Sequence, residues 1–489
     1  MSQFITPLPV QPLNTKAMLK AATVVLWGLV AVVSLNAGNH AISADNRKLP
    51  NVVVILIDDM GYTDLGCYGS KFFETPNIDR LAREGMRFTD GYAACPVCSP
   101  TRASIIAGKF PARLNLTDWL PGRADRPSQM LLRPKIQQAL PLEEFTLAEA
   151  LAAVGYKCGA VGKWHLGERG FLPEDQGFHR NVGGTEKGSP PGGYFKFKTP
   201  SLELDEGQYL TDELHKAADL FIKQHVDEPF FLYLSHYAVH IPLQAKAELT
   251  EHYRQKLLSA EQTRPTHTNP IYAAMIHSVD QGVGRLLDTL DRLKLSDNTI
   301  IFFTSDNGGL SVPEGPNTPA TSNSPLKTGK GYLYEGGIRE PFIVRFPGTV
   351  PAGTTCQTPV VSMDIYPTVM ELAGVQTHQQ LDGVSLVPLL KQTGTPERQA
   401  LYWHYPHYSN QGGKPGGAVR MGDYKLIEFY EDNHLELYNL RTDVGENQNL
   451  ADAQPDRTRS LHAQLATWRN AVKAQMMTPN PNYQPNTKP

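Results

Sequence analysis

Asn51-Val52-Val53-Val54-Ile55-Leu56-Ile57 runs straight into Asp58-Asp59. An unbroken β-branched run, with no alternation of apolar and polar positions, describes a strand buried on both faces, as strands of a parallel sheet are. The same form recurs at residues 230–234, running into Ser235-His236, at 299–304, running into Ser305-Asp306-Asn307, and at 342–346. Helical stretches lie between these runs at 77–85, 147–154, 212–225 and 273–293. Strand alternating with helix predicts an α/β fold with a large central mixed, mostly parallel sheet flanked by helices. In open sheets of this kind ligands bind at the carboxyl ends of the strands. Asp58, Asp59, Asp306 and Asn307 are therefore expected in one crevice despite their separation in sequence. Asp and Asn also end strands as turn residues and helix caps, but two such pairs after two buried strands favour a site.

Beyond residue 400 the composition changes. Trp403-His404-Tyr405-Pro406-His407-Tyr408, with Gly412-Gly413 and Gly416-Gly417, leads into short apolar runs at 418–420, 424–430 and 435–440, then a helical stretch at 456–475. These features predict a main domain at residues 45–399 and a smaller C-terminal subdomain at 400–477, made of a short antiparallel sheet and a helix. Residues 478–489, rich in Pro and Asn, are expected to be disordered. At the other end Lys16 and Lys20 precede an apolar run at 21–35, with the small residues Ala41, Ser43 and Ala44 after it. The run is shorter than the roughly 20 residues of a spanning helix, so residues 1–44 read as a secretory signal peptide and leader. An uncleaved anchor is the alternative. The expected location is periplasmic or secreted, in a bacterium, with no membrane association once the signal is cleaved.

The 489 residues carry a net charge of −3, which gives no electrostatic reason to expect nucleic acid as a partner. An anionic substrate would have to be caught by local cations. The five cysteines are too scattered for a disulfide scaffold.

Cys95-Pro96-Val97-Cys98-Ser99-Pro100-Thr101-Arg102-Ala103-Ser104-Ile105-Ile106-Ala107-Gly108 carries the chemistry. Cys95 and Cys98 make a C-x-x-C pair, a form shared by redox dithiols and half zinc sites, although no second pair completes such a site. A buried cysteine beside a turn-forming proline is the plain structural reading. A cysteine followed by Pro at the second position and Arg at the fourth also resembles the sulfatase signature, whose cysteine is oxidised to formylglycine (3-oxoalanine). Further matching segments extend the resemblance: Val54 to Tyr62 in order, Thr75-Pro76-Asn77-Ile78-Asp79-Arg80-Leu81-Ala82, Gly162-Lys163-Trp164-His165-Leu166-Gly167, and His240-Ile241-Pro242-Leu243. Ser305-Asp306-Asn307-Gly308, Gly329-Lys330-Gly331 and Tyr334-Glu335-Gly336-Gly337-Ile338-Arg339-Glu340-Pro341 follow in order. Gly422-Asp423-Tyr424-Lys425-Leu426 and Glu436-Leu437-Tyr438-Asn439-Leu440 complete the series. The chain resembles the type I, formylglycine-dependent sulfatases of the alkaline phosphatase superfamily, the group of the arylsulfatases and the polysaccharide and glycosaminoglycan sulfatases.

The resemblance implies an alkaline-phosphatase-like fold and a sulfuric ester hydrolase. It makes Cys98, as formylglycine, the nucleophile, and assigns one Ca²⁺, with Mg²⁺ as the alternative, to Asp58, Asp59, Asp306, Asn307 and position 98. Such hard oxygen donors suit these cations and suit zinc poorly. Arg102 is implied to stabilise the alkoxide of the hydrated aldehyde. Lys163, His165, His240 and Lys330 are implied to bind the sulfate, with His240 and Lys330 on the leaving-group side and His165 as the base that releases sulfate. His236, four residues before His240, is a supporting candidate. A formylglycine-generating enzyme is an implied partner during maturation.

Asp118, Trp119, His404 and His407, in segments rich in aromatic residues, are candidate contacts to a sulfated carbohydrate, of galactose or N-acetylgalactosamine type. The plain reading of Trp119 and Trp403 is packing. Two other functions compete: a phosphonate monoester or phosphodiester hydrolase of the same superfamily, and a non-catalytic protein that binds sulfated glycans.

Overall fold

The computed structural model describes residues 49–259, 268–376 and 379–485. The expected signal segment at 1–44 lies outside them. Strands β1 (Asn51–Ile57), β2 (Met86–Tyr92), β3 (Lys157–Gly162), β4 (Arg180–Val182), β5 (Phe230–Ser235), β6 (Thr299–Ser305), β7 (Arg339–Arg345), β8 (Thr354–Cys356) and β9 (Val360–Val361) form one nine-stranded sheet. Their order is β8-β2-β7-β6-β1-β5-β3-β4, with β9 also pairing with β2. β7 alone opposes its neighbours; the other pairings are parallel. The expected α/β fold with a mixed, mostly parallel sheet is the one observed.

The longer helices are α1 (Pro76–Glu84), α2 (Cys98–Ala107), α3 (Leu147–Ala152), α4 (Leu210–Gln224), α5 (Ala247–Ser259), α6 (Pro270–Arg292) and α7 (Ile365–Leu372). Alternate residues of β1 explain the layers. Val53, Ile55 and Ile57 join the core that includes Leu214 and Ile222 of α4 and Val283 and Leu287 of α6. Val52, Val54 and Leu56 join the opposite core with Ile105 and Ile106 of α2, Leu151 of α3 and Val369 of α7. Each fully buried side chain of this type contributes about 1.5–3 kcal/mol, so an unbroken apolar run is stable only with helices on both faces. Caps fix where helices begin: Thr146 and Glu149 form a reciprocal capping box at α3, and Asn269 accepts from the Ile271 and Tyr272 amides at α6.

Register then aligns the strand ends. Leu56 lies opposite Ser235, Ile57 opposite Ser305, and Gly162 opposite Ser235. The residues that follow β1, β3, β5 and β6 therefore emerge along one edge.

The C-terminal sheet is antiparallel in sequence order, with β10 (Leu401–Tyr405), β11 (Gly416–Met421), β12 (Tyr424–Phe429) and β13 (Leu435–Asn439). Helix α8 (Pro455–Ala471) buries Leu461 and Leu465 against Val419 and Leu426. Trp403 packs toward the main sheet, its indole N–H donating to the Ala93 carbonyl at 2.8 Å, so packing is its role. Beside it the buried Lys425 lies 2.9 Å from both Glu335 and Glu446.

The disordered-tail expectation is corrected for residues 478–485. Thr478–Pro479 pairs with Leu131–Leu132. The Asn480 side chain donates to the carbonyls of Arg126 and Gln129, and its backbone amide to Met130. Asn supplies local hydrogen bonds that a composition-based reading counts only as polarity. Among the described residues, no helix is long and apolar enough to cross a membrane.

Candidate active site

Position 98 opens α2, a helix whose ten residues are all buried. Cys98 Sγ lies 3.5 Å from His165 Nδ1, and His165 Nε2 lies 2.7 Å from the Leu120 carbonyl. A carbonyl only accepts, so Nε2 carries the proton and the bare Nδ1 faces position 98. Burial, reinforced by the charge of Lys163, holds His165 neutral, well below the usual histidine range. The backbone is strained at this residue and at Asp59, with φ of 58° and 61° in the left-handed region. Such strain in non-glycine residues gathers at functional sites. Gly188 leaves room for the ring, since a Cβ there would stand 2.6 Å from it.

The carboxylates meet as their strand ends predict. Asp58 and Asp59 follow β1, Asp306 and Asn307 follow β6, and all four are buried. Lys163 Nζ is 2.7 Å from Asp58 and Lys330 Nζ is 2.8 Å from Asp59. Arg102 Nε and Nη2 lie 2.8 and 2.7 Å from one oxygen of Asp306, and Arg102 also donates to the Lys163 carbonyl and the Ser235 hydroxyl. Three acids are thus packed against three cations. Burial raises Asp58 well above the usual carboxylate range against the pull of Lys163. At Asp59 burial acts the same way, but the charge of Lys330 prevails and lowers it.

Asn307 donates its amide N–H to Asp59 at 2.8 Å, while Asn307 Oδ1 and Asp58 Oδ1 are buried without a hydrogen-bond partner. Orphaned buried acceptors are costly and call for a missing partner. One donor atom each from Asp58, Cys98 and Asp306 lies within 4.8 Å of the others, and the same holds for Asp58, Asp59 and His240. Oxygen donors in this number, with two unsatisfied, fit a hard divalent cation. His240 Nδ1 is 2.7 Å from the Ile241 carbonyl, which turns Nε2 toward Asp59, 3.7 Å away. Burial and the neighbouring Lys330 push His240 down to about 3.

Cys98, His165, His240 and Lys330 line a cavity of about 1180 Å³. Trp119 reaches its wall, but Asp118, His404 and His407 do not, which corrects their reading as substrate contacts. Asp118 accepts from the Trp119 amide at 2.9 Å and the Tyr405 hydroxyl at 3.2 Å. His407 pairs with Thr117, and His404 is spent on the Tyr430 hydroxyl and the Gln475 carbonyl. They stiffen the wall from behind. His236 is fully buried against the ring of His215 and does not line the cavity. All five cysteines are free, and Cys95 Sγ faces the Thr117 carbonyl while Cys98 faces His165.

Sequence reasoning misses the Leu120 and Ile241 carbonyls that set the two imidazole tautomers, because a carbonyl leaves no trace in residue identity. It also misses Ser235 as a partner of Arg102, and Glu314 and Gln411 in the cavity wall. Ser235 was visible as the end of an apolar run, but nothing in the sequence pointed it at Arg102.

The model of the sulfatase family matches residues 50–375, and the model for the C-terminal part of N-sulphoglucosamine sulphohydrolase matches residues 328–473. The chain is 34% identical to arylsulfatase A of Homo sapiens over 474 residues, covering 84% of this chain and 86% of that protein. It is 33% identical to N-acetylgalactosamine-6-sulfatase of Canis lupus familiaris over 449 residues, 87% of this chain and 80% of that one. Among solved structures, Ps i-CgsB in complex with k-i-k-neocarrahexaose superposes with a TM-score of 0.74 at 30% identity, over 86% of this chain and 93% of the other.

Proposed function

The chain belongs to the sulfatase family and is a sulfuric ester hydrolase, and from that premise we propose that it removes sulfate from a sulfated carbohydrate, using formylglycine formed from Cys98 and one bound Ca²⁺. The observation that carries the reading is the buried group of Asp58, Cys98 and Asp306, whose ligand atoms lie within 4.8 Å of one another, with a bare imidazole nitrogen facing position 98. Relatives named N-acetylgalactosamine-6-sulfatase and solved with k-i-k-neocarrahexaose support a carbohydrate substrate.

Asp58, Asp59, Asp306, Asn307 and position 98 would hold the cation, with Mg²⁺ as the alternative ion. There it would supply a positive charge that polarises a sulfate ester. Oxidised to formylglycine, position 98 would supply a hydrated aldehyde hydroxyl as a nucleophile that no encoded side chain provides. The chain's own residues do the remainder. Arg102, one turn further along α2 and tied to Asp306, fixes that carboxylate and adds positive charge beside position 98. Lys163 and Lys330 would bind the sulfate oxygens, where charge grows as the ester bond breaks, and such fixed cations favour the transition state over the ground state. His240 and Lys330 would stand on the side of the departing alkoxide, and Lys330 would supply the proton it needs, since the Ile241 carbonyl holds the His240 proton on Nδ1. His165 Nδ1, fixed by the Leu120 carbonyl, takes a proton from the hydroxyl at position 98 and so allows sulfate to leave.

The test is co-expression with a formylglycine-generating enzyme, then the mass of the peptide containing Cys98 and sulfate release from a panel of sulfated saccharides. Expected are conversion of Cys98 and turnover of at least one sugar class, with Cys98→Ala nearly inactive yet folded. Added Ca²⁺ should raise the Tm and a chelator lower it, by ligand linkage. Substantial turnover by Cys98→Ala would overturn the nucleophile, and an unmoved Tm would overturn the cation site.

A further inference from the structure

Away from the residues assigned to sulfate, the cavity wall is acidic. Glu143, Glu168, Glu186 and Glu314 line it, against Lys187 as the only further Lys or Arg among the described lining residues. Lys187 lies 3.1 Å from Glu186, so its charge is already answered. A site for a substrate rich in sulfates or carboxylates would need fork-shaped arginine donors, and no arginine is among the described residues of the wall. Arg123 is tied to the Ser409 carbonyl at 3.1 Å and does not line the cavity.

Glu314 is not a loose surface acid. Its backbone amide donates to Thr318 Oγ1 at 2.7 Å, and one carboxylate oxygen accepts from the Gln411 side-chain amide. Gln411 is 8% exposed, and its carbonyl accepts from the Tyr332 hydroxyl at 2.7 Å. Ser409 and Gly413 close that second loop with reciprocal hydrogen bonds. Two loops distant in sequence thus present a fixed carboxylate with one oxygen still able to accept. A carboxylate in this state suits sugar hydroxyls, and Trp119, Phe171 and Pro191 on the same wall offer apolar surface for the C–H face of a ring.

We propose that Glu314, held by Gln411, binds hydroxyls of the departing sugar, and that the cavity selects a neutral sugar sulfated once over uronate-bearing or multiply sulfated units. This rests on the sulfated-carbohydrate reading and adds the charge class of the sugar. Close like charges in a walled cavity repel, which is a device for specificity as much as attraction is.

The experiment compares kcat/KM of the full, matured chain on nitrophenyl sulfate, on monosulfated galactose and N-acetylgalactosamine, and on disulfated and uronate-containing saccharides. Expected is at least tenfold preference for monosulfated neutral sugars. Glu314→Gln should raise KM for those sugars about tenfold, and lower the sugar to nitrophenyl sulfate ratio of kcat/KM by a similar factor. Glu314→Lys should narrow the preference against disulfated sugars at least tenfold. A tenfold preference of the unaltered chain for polyanionic sugars would overturn the proposal while leaving the carbohydrate reading intact. Equal losses on sugar and nitrophenyl sulfate in both variants would overturn the role of Glu314, making it a support for Lys330. Turnover of nitrophenyl sulfate with no sugar cleaved would overturn the carbohydrate reading itself.

Discussion

His165 shows how much a single residue is determined by groups that the sequence does not advertise. The Leu120 carbonyl holds its Nε2 proton, so Nδ1 faces Cys98 as an acceptor. In the proposed reaction a base in that place serves the release of sulfate rather than the attack on it. His165→Ala is therefore expected to release alcohol in a burst near one equivalent per site and then slow sulfate release by about 10²–10⁴-fold; stopped-flow detection of nitrophenol beside sulfate quantitation checks this. Loss of the burst together with turnover would place His165 in the first step. Residues in contiguous motifs were legible, and Cys98, Arg102, Lys163, His165, His240 and Lys330 do gather around one centre. Asp118, His404 and His407 were not, because polar and histidine residues among aromatic ones have the same composition whether they meet a sugar or satisfy one another.

Among the elements, strands buried on both faces were easy to read and the rest were harder. β1, β5 and β6 are unbroken apolar runs, and the ends of β1 and β6 bring Asp58, Asp59, Asp306 and Asn307 together. β2, with the sequence MRFTDGY, and β3, with KCGAVG, carry polar residues or glycine and leave no comparable mark. The reversed direction of β7 is a property of connection, not of residue pattern. The C-terminal sheet was legible as short strands, but its attachment through buried charge was not. Lys425 sits between Glu335 and Glu446 with all three side chains fully buried. Removing the cation leaves Glu446 unanswered, while Glu335 keeps Arg339, so Lys425→Met should cost about 3–5 kcal/mol, read as a lower denaturant midpoint. Adding Glu446→Gln to it should recover part of that loss, as coupled neighbours do; simple additivity would show that the three do not act as a unit.

For the whole molecule, acid pH sets two groups of buried side chains against each other. Burial pushes His404 down to about 4 and His236 down to about 3. Each is neutral when folded but binds a proton when unfolded below about 6.5, so each withdraws stability as pH falls from 6.5 toward its folded value. Asp118, pushed up to about 7 by burial, and Asp280, pushed up to about 6, act in the opposite sense over nearly the same range. They stay protonated where the unfolded chain ionises, and they regain stability as pH falls. The two sets flatten the curve, and removing one member tilts it. His404→Gln should gain Tm relative to the unaltered chain as pH drops from 6.5 to about 4, and a difference independent of pH would refute the assignment. The clasp at residues 478–485 bears on this scale too. It grips the segment 126–132, which leads from Trp119 to Gln137 and Gln138 in the cavity wall. Anyone trimming those residues as a dispensable end, to help crystals grow or to make room for a purification handle, would be loosening the ligand's enclosure from some 350 positions away along the chain.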